Sequence, residues 1–252
     1  MQTSLVFTVA QSKRLIAKGV LRLPEVRHAL SHGKVAIGRG TTNAYIVEEI
    51  LGTAIPKGEY AAGRTLPPGM PSERLGQGRY AEVVLDRGRP VDGMTAADAV
   101  KEMGPGDVFL KGGNALDYQR KVVGVLIGHP TGGTIGVTYG TIVSRKVHLV
   151  IPIGLEKLVD GDIIALSVAS RRPDDHPTMR AVPLFPITGT IITEIEALAV
   201  LCGVQARLLA AGGVAGAEGA VWLLVDGGKE ALDRAIELQE SLRDEPNLTA
   251  EA

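Results

Sequence analysis

The sequence predicts an α/β protein: a parallel sheet with helices on both faces, followed by a small α+β unit. Three observations carry that expectation. Short apolar runs such as KVAIG (34–38), DVFLKGG (107–113) and HLVIPIG (148–154) stop at glycine. Segments of helical spacing lie between them, the alternation from which parallel sheets are built. Glycine, 32 of 252 residues, exceeds its usual share of about 7% and gathers where strands should end, with no collagen period.

Each element follows in order. Residues 11–32 read as two short helices parted by Pro24. KVAIG is a strand and GRGTT the turn after it. From Asn43, Ile46, Val47, Ile50 and Leu51 keep helical spacing until Gly52. The Gly- and Pro-rich stretch 55–79 is long enough to be a lid, a binding loop or a disordered segment. YAEVVL (80–85) is a strand and DRGRP (86–90) a turn. Thr95 caps a helix through Met103, with Asp98 at its third position. DVFLKGG is the next strand, 121–136 is apolar and then glycine-rich, and HLVIPIG is a strand of the fully buried parallel type.

The charged, proline-bearing stretch ASRRPDDHPTMR (169–180) divides the chain into a glycine-loop domain (1–172), a linker (173–180) and a small domain (181–246). Beyond it come AVPLFPITGTIIT, a helix from Glu194 to Cys202, VQARLLAAGG, AVWLLVDGG and a helix from Lys229 to Arg243. That order of strand, helix, strand, strand, helix is of the ferredoxin or ACT-like kind. Trp222 alternates into a strand and reads as core. Cys202 shares the apolar helix face of Ile195, Leu198 and Ala199 and reads as buried. Thr193 and Glu196 form a capping box, which leaves Glu194 as a solvated carboxylate. The tail from Glu245 is expected to fray.

Bulk properties narrow the function. A net charge of -1, a pI near 6.5 and 4% aromatics argue against nucleic acid. No apolar run reaches the ~18 residues of a membrane span. The N-terminal apolar stretch is too short for a signal peptide, and the single cysteine suits a reducing compartment. The expectation is a cytoplasmic protein without membrane or cofactor, and a homo-oligomer like many soluble proteins. His28 and His32 are four apart but have no third ligand nearby, so no metal is expected.

Three glycine turns are the candidate ligand sites, because ligands of open α/β sheets bind beyond the carboxyl ends of strands. In the first, Gly38, Arg39, Gly40, Thr41, Thr42 and Asn43 offer backbone N–H groups, a helix N-terminus, hydroxyls and a guanidinium to an anion. The alternative is a tight turn whose threonines cap the helix. In the second, Lys111, Gly112, Gly113, Asn114 and Asp117 could face the same crevice, with Asp117 as a proton-transfer candidate; alternatively Asn114 and Asp117 cap a helix. In the third, Gly132, Gly133 and Thr134 add backbone donors or form an ordinary loop. Glu218, in the glycine-dense AGGVAGAEG, is a second acid–base candidate or a surface carboxylate.

The helix followed by KVAIGRGTTNAYIVEEILG resembles the opening of the superfamily that holds ribose-5-phosphate isomerases, glucosamine-6-phosphate deaminases and CoA transferases. FLKGGNALD falls where the isomerases carry an Asp-Gly-Ala-Asp-Glu-x-Asp motif. GTIVSRKVHLVIPIGLEKLV is similar to a later strand of a lactate-utilization branch. The likeness covers about two-thirds of the chain and implies a phosphate- or substrate-holding loop at GRGTT. Lys111 and Asn114 stand where the isomerase motif has aspartates and Ala115 where it has Glu; Asp117 alone matches. The resemblance therefore implies the fold without the isomerase reaction. Together these readings predict binding of a small anionic metabolite (a sugar phosphate, acyl-CoA or carboxylate), with isomerase, lyase or transferase chemistry as options. The alternative is a metabolite-sensing regulator acting through its C-terminal unit.

Overall fold

The computed structural model describes residues 1–61, 65–66, 80–173 and 181–248. The first half of the chain runs β1 (Gln2–Phe7), α1 (Val9–Val20), α2 (Pro24–His32), β2 (Lys34–Ile37), α3 (Thr41–Leu51), β3 (Val83–Asp86), β4 (Arg89–Pro90), α4 (Ala96–Ala99) and β5 (Val108–Leu110). Next come β6 (Ala115–Asp117), β7 (Val122–Leu126), α5 (Gly133–Ser144), β8 (His148–Pro152), a 3-10 turn at Leu155–Lys157 and α6 (Ile163–Ala169). The last third is β9 (Leu184–Ile187), β10 (Thr190–Ile192), α7 (Glu194–Cys202), β11 (Gln205–Ala211), β12 (Val221–Asp226) and α8 (Lys229–Ser241). Much of the glycine- and proline-rich stretch and most of the linker lie outside the described residues.

The protein has an α/β fold. Its six-stranded sheet has the order β10-β8-β5-β2-β3-β4, with β2, β5, β8 and β10 parallel and β3 and β4 antiparallel at one edge. The sheet is thus mixed, because YAEVVL returns beside β2 in the reverse direction. Helices α1, α3 and α7 pack together, with α1 and α7 touching β8 or β10, while α2 and α4 pack against β2, β3 or β5. The buried runs Val35–Ile37, Val108–Leu110 and Leu149–Ile151 are apolar throughout, as expected of strands covered on both faces.

Strand pairing crosses the boundary drawn from the sequence in both directions. The N-terminal residues form β1, which pairs with β12 beside β11 in a three-stranded antiparallel sheet carrying α7 and α8. AVPLFPITGTIIT, expected to open that unit, instead supplies β9 to a second small sheet (β6-β7-β9) and β10 to the large one. One apolar core runs from Val35 and Phe109 through α1 and α7 to Phe7, Leu223 and Val225. Alternation placed Trp222 in the core, but the phase is the opposite one. Val221, Leu223 and Val225 point inward and Trp222 is 45% exposed.

Close approach at Gly19 sets the seam between α1 and α7. A Cβ there would lie 2.7 Å from the Ala197 Cβ and 2.9 Å from its Cα. Alanine normally favours a helix over glycine by up to ~1 kcal/mol. Here the obstacle is backbone, so overpacking wins, and Gly19→Ala should lose about 1–3 kcal/mol in urea melts. A variant as stable as the parent would mean that α1 and α7 are not in contact.

Candidate functional site

Parallel alignment brings the carboxyl ends of β2, β5, β8 and β10 to one edge, where Ile37, Leu110 and Val150 are in register. Four neighbouring strand ends at about 4.8 Å spacing give a rim about 14 Å long. Gly38 donates its N–H to the Leu110 carbonyl at 2.9 Å and Lys111 to Val150 at 3.1 Å. The GRGTT and KGG turns therefore lie side by side, and a Cβ on Gly38 would sit 3.2 Å from the Lys111 Cδ.

In the first turn Gly40 caps α3 with backbone alone, and no side chain bonds the free N–H groups of the first helical turn. Thr41 and Thr42 are already helical, so the capping alternative fails. The Asn43 amide donates to the Gly38 carbonyl at 2.7 Å and to Leu110 at 3.3 Å, a strut between the two strand ends. Thr42 and Asn43 are 3% and 1% exposed, yet among the described residues Thr42 Oγ1 and Asn43 Oδ1 have no hydrogen-bond partner, and Arg39 Nε is likewise buried without one. Beneath them Tyr60 is buried; its hydroxyl donates to the Ile37 carbonyl at 2.6 Å, and its carbonyl accepts the Gly40 N–H at 3.1 Å.

Next along the rim, Lys111 Nζ donates to the Gly112 carbonyl at 3.2 Å, and Lys157 Nζ donates to the Gly113 carbonyl at 3.0 Å. Burial, then the Lys157 charge, holds the Lys111 amine down at about 8 against the weaker pull of Glu82. Lys13, on α1, is also held near 8 by burial and Lys157. Among the described residues none of Arg39, Lys111, Lys157 and Lys13 has a carboxylate within ion-pair distance. Elsewhere Arg14, Lys57 and Arg120 all do.

At the far end of the rim Glu194 corrects the sequence reading. It is 0% exposed, because it opens α7 against α1 rather than facing water, and its Oε2 accepts the Leu155 N–H at 2.9 Å. Burial, and then the nearby Glu156 carboxylate, raises its carboxyl to about 7. Among the described residues Glu156 Oε2 is buried without a partner, and the Ser12 side chain on α1 also faces the Glu194 carboxyl. Periodicity alone could have flagged Glu194, since it precedes the buried Ala197 and Leu198 by three and four residues.

The other candidates separate from this rim. Asp117 ends β6, and its carboxylate accepts the Arg120 N–H at 2.9 Å and the guanidinium at 3.0 Å. Its bonds close its own turn, and neither Asp117 nor Asn114 caps a helix. Asn114 Oδ1 accepts the Leu126 N–H at 3.1 Å. Gly132 and Gly133 start α5 at φ 82° and 60°, with Thr134 bonding Glu82 at 3.2 Å. That glycine-rich run is thus a turn that enters a helix at Gly133, with a carboxylate of the chain itself at its start. Glu218 is exposed and accepts the Gly216 N–H at 2.8 Å within its turn. Thr193 and Glu196 form the expected capping box, and Cys202 is buried. The His28 and His32 rings stack 5.0 Å apart.

Comparisons with protein-family models, known proteins and solved structures find no match. Among the described residues, no helix is long and apolar enough to cross a membrane.

Proposed function

We propose that the rim of the parallel sheet binds a small anionic metabolite, a sugar phosphate, acyl-CoA or carboxylate, as part of an enzyme of isomerase, lyase or transferase type. The observation that carries this reading is the set of cations along the rim, Arg39, Lys111 and Lys157, which have no carboxylate within ion-pair distance among the described residues, together with an α3 N-terminus that has no side-chain cap among them. Cations gathered without counter-charges repel one another. An anion relieves that repulsion and accepts the free N–H groups. The resemblance of GRGTT to phosphate-holding loops is in keeping with it. A regulatory role through the C-terminal unit has less support, since Glu218 is spent on its own turn.

Thermal melts with inorganic phosphate, sugar phosphates, an acyl-CoA and dicarboxylates test the proposal. A ligand at about a hundred times its Kd should raise Tm by roughly 5–10 °C. Arg39→Ala should abolish the rise while leaving the ligand-free Tm within about 2 °C, because among the described residues its Nε is without a hydrogen-bond partner and its guanidinium without an ion pair. Equal ligand shifts in the parent and the variant would overturn the reading.

A further inference from the structure

We infer that Lys111 is a carbonyl-reactive amine, which forms an imine with a small aldehyde or ketone carrying a phosphate or carboxylate. The inference rests on the anion-binding reading and adds the reacting group and the chemical class of the ligand. The carboxyl end of β5 puts Lys111 in the middle of the rim, between the β2 and β8 turns. Its stem lies against Gly38, and among the described residues its Nζ bonds just the Gly112 carbonyl. A structural lysine in such a place normally ends on a carboxylate, as Lys57 does on Glu48 at 2.9 Å. Glu82 is the nearest acidic influence on Lys111, but its two oxygens accept from the Ala96 N–H and the Thr134 hydroxyl. Lys157, whose Nζ donates to the neighbouring Gly113 carbonyl, adds a second cation nearby. A lysine desolvated beside another cation is the arrangement that leaves an amine partly neutral and nucleophilic at ordinary pH.

The reaction is balanced within the site. The neutral Nζ lone pair attacks the carbonyl carbon, and the C=O π pair moves to oxygen, which takes a proton to give a carbinolamine. The hydroxyl leaves as water with a second proton, the nitrogen gives up its two N–H protons, and C=N forms. One amine and one carbonyl yield one imine and one water, with no oxidant or reductant consumed. The anionic end of the ligand would lie toward Arg39 and the α3 N-terminus, one strand spacing from Lys111.

Reductive trapping tests this. The intact protein is incubated with glycolaldehyde phosphate, pyruvate or uncharged glycolaldehyde and cyanoborohydride at pH 8, and adducts are located by peptide mass spectrometry. Lys111 should be labelled by the charged probes about tenfold faster than the exposed lysines, from its larger neutral fraction, and ahead of Lys13, whose amine is held as low. Labelling chiefly at Lys13 would overturn the assignment. Excess inorganic phosphate should slow that labelling. Lys157→Met, which keeps the nucleophile but removes the neighbouring charge, should move the pH midpoint of labelling upward. Adducts spread evenly over the lysines, or equal labelling by uncharged glycolaldehyde, would overturn the assignment. Stabilisation by glycerol phosphate without a Lys111 adduct would sink the imine and leave the anion site standing. Neither stabilisation nor adduct would sink both.

Discussion

Arg14→Ala should lose about 3 kcal/mol of folding stability at pH 7, read as a Tm drop of roughly 6–12 °C. Arg14, on α1, meets Glu48 at 2.5 Å, Glu49 at 3.1 Å and Glu245 at 2.8 Å, with its side chain 13% exposed and that of Glu48 6%. Its guanidinium also lies 4.8 Å from the centre of the Tyr45 ring. Removing it leaves Glu245 unpaired and Glu48 dependent on Lys57 and the Ile55 N–H. An ion pair broken on one side in a buried place costs more than the pair contributes when whole, because the remaining charge is stranded. Burial opposes the Glu48 charge, but the Ile55 N–H, Arg14 and Lys57 outweigh it and hold the carboxyl below its ordinary value. A lowered carboxyl stabilises the fold above its unfolded pKa and stops doing so as pH falls through its folded value. The gap between parent and variant should therefore narrow in acid. A gap that persists unchanged below the carboxylate range would assign the effect to lost packing alone. The same contacts fasten the segment around Glu245, expected to fray, to α1 and α3, and the Asn247 amide donates to the Gly216 carbonyl at 2.7 Å.

Local signals in the sequence were enough for many of the elements, though not for β1, α5 or α6, and not for the partners of the strands. Gly52 and Gly203 stop α3 and α7 in the left-handed region, as their positions after periodic runs implied. Thr193 and Glu196 cap α7 as their spacing implied. The partner of a strand is a long-range choice, and nothing in the N-terminal sequence shows that it closes a sheet with residues 221–226. The site divided the same way. Adjacent strand ends made GRGTT and KGG neighbours, which their glycines suggested. Asp117 and Glu218 were singled out because carboxylates near glycines look available, but both are held by N–H groups two or three residues away. Lys157 and Glu156 were missed because they sit on a 3-10 turn that carries no motif. Glu194 was missed because its neighbour Glu196 accounted for the helix start.

That omission matters, because Glu194→Gln should make the protein more stable, by about 3 kcal/mol at pH 8. The carboxyl is raised from its ordinary 4.5 to about 7 by burial and by Glu156. A raised carboxyl holds its proton in the folded state over a range where the unfolded chain has released it. Its contribution is complete below about 4.5, declines as pH rises, and is gone above about 7. Above that pH the parent folds with a buried carboxylate beside another, whereas glutamine is neutral at every pH. It can still accept the Leu155 N–H. Parent and variant should therefore coincide near pH 4.5 and diverge toward pH 8 in urea melts taken at several pH values. Most substitutions of fully buried residues destabilise, so a gain here would mark Glu194 as a group kept at a cost to the fold, as carboxyls poised for proton transfer are. Parallel stability curves across that pH range would mean that Glu194 is ionised and compensated within the fold, and that the far end of the rim holds no exchangeable proton.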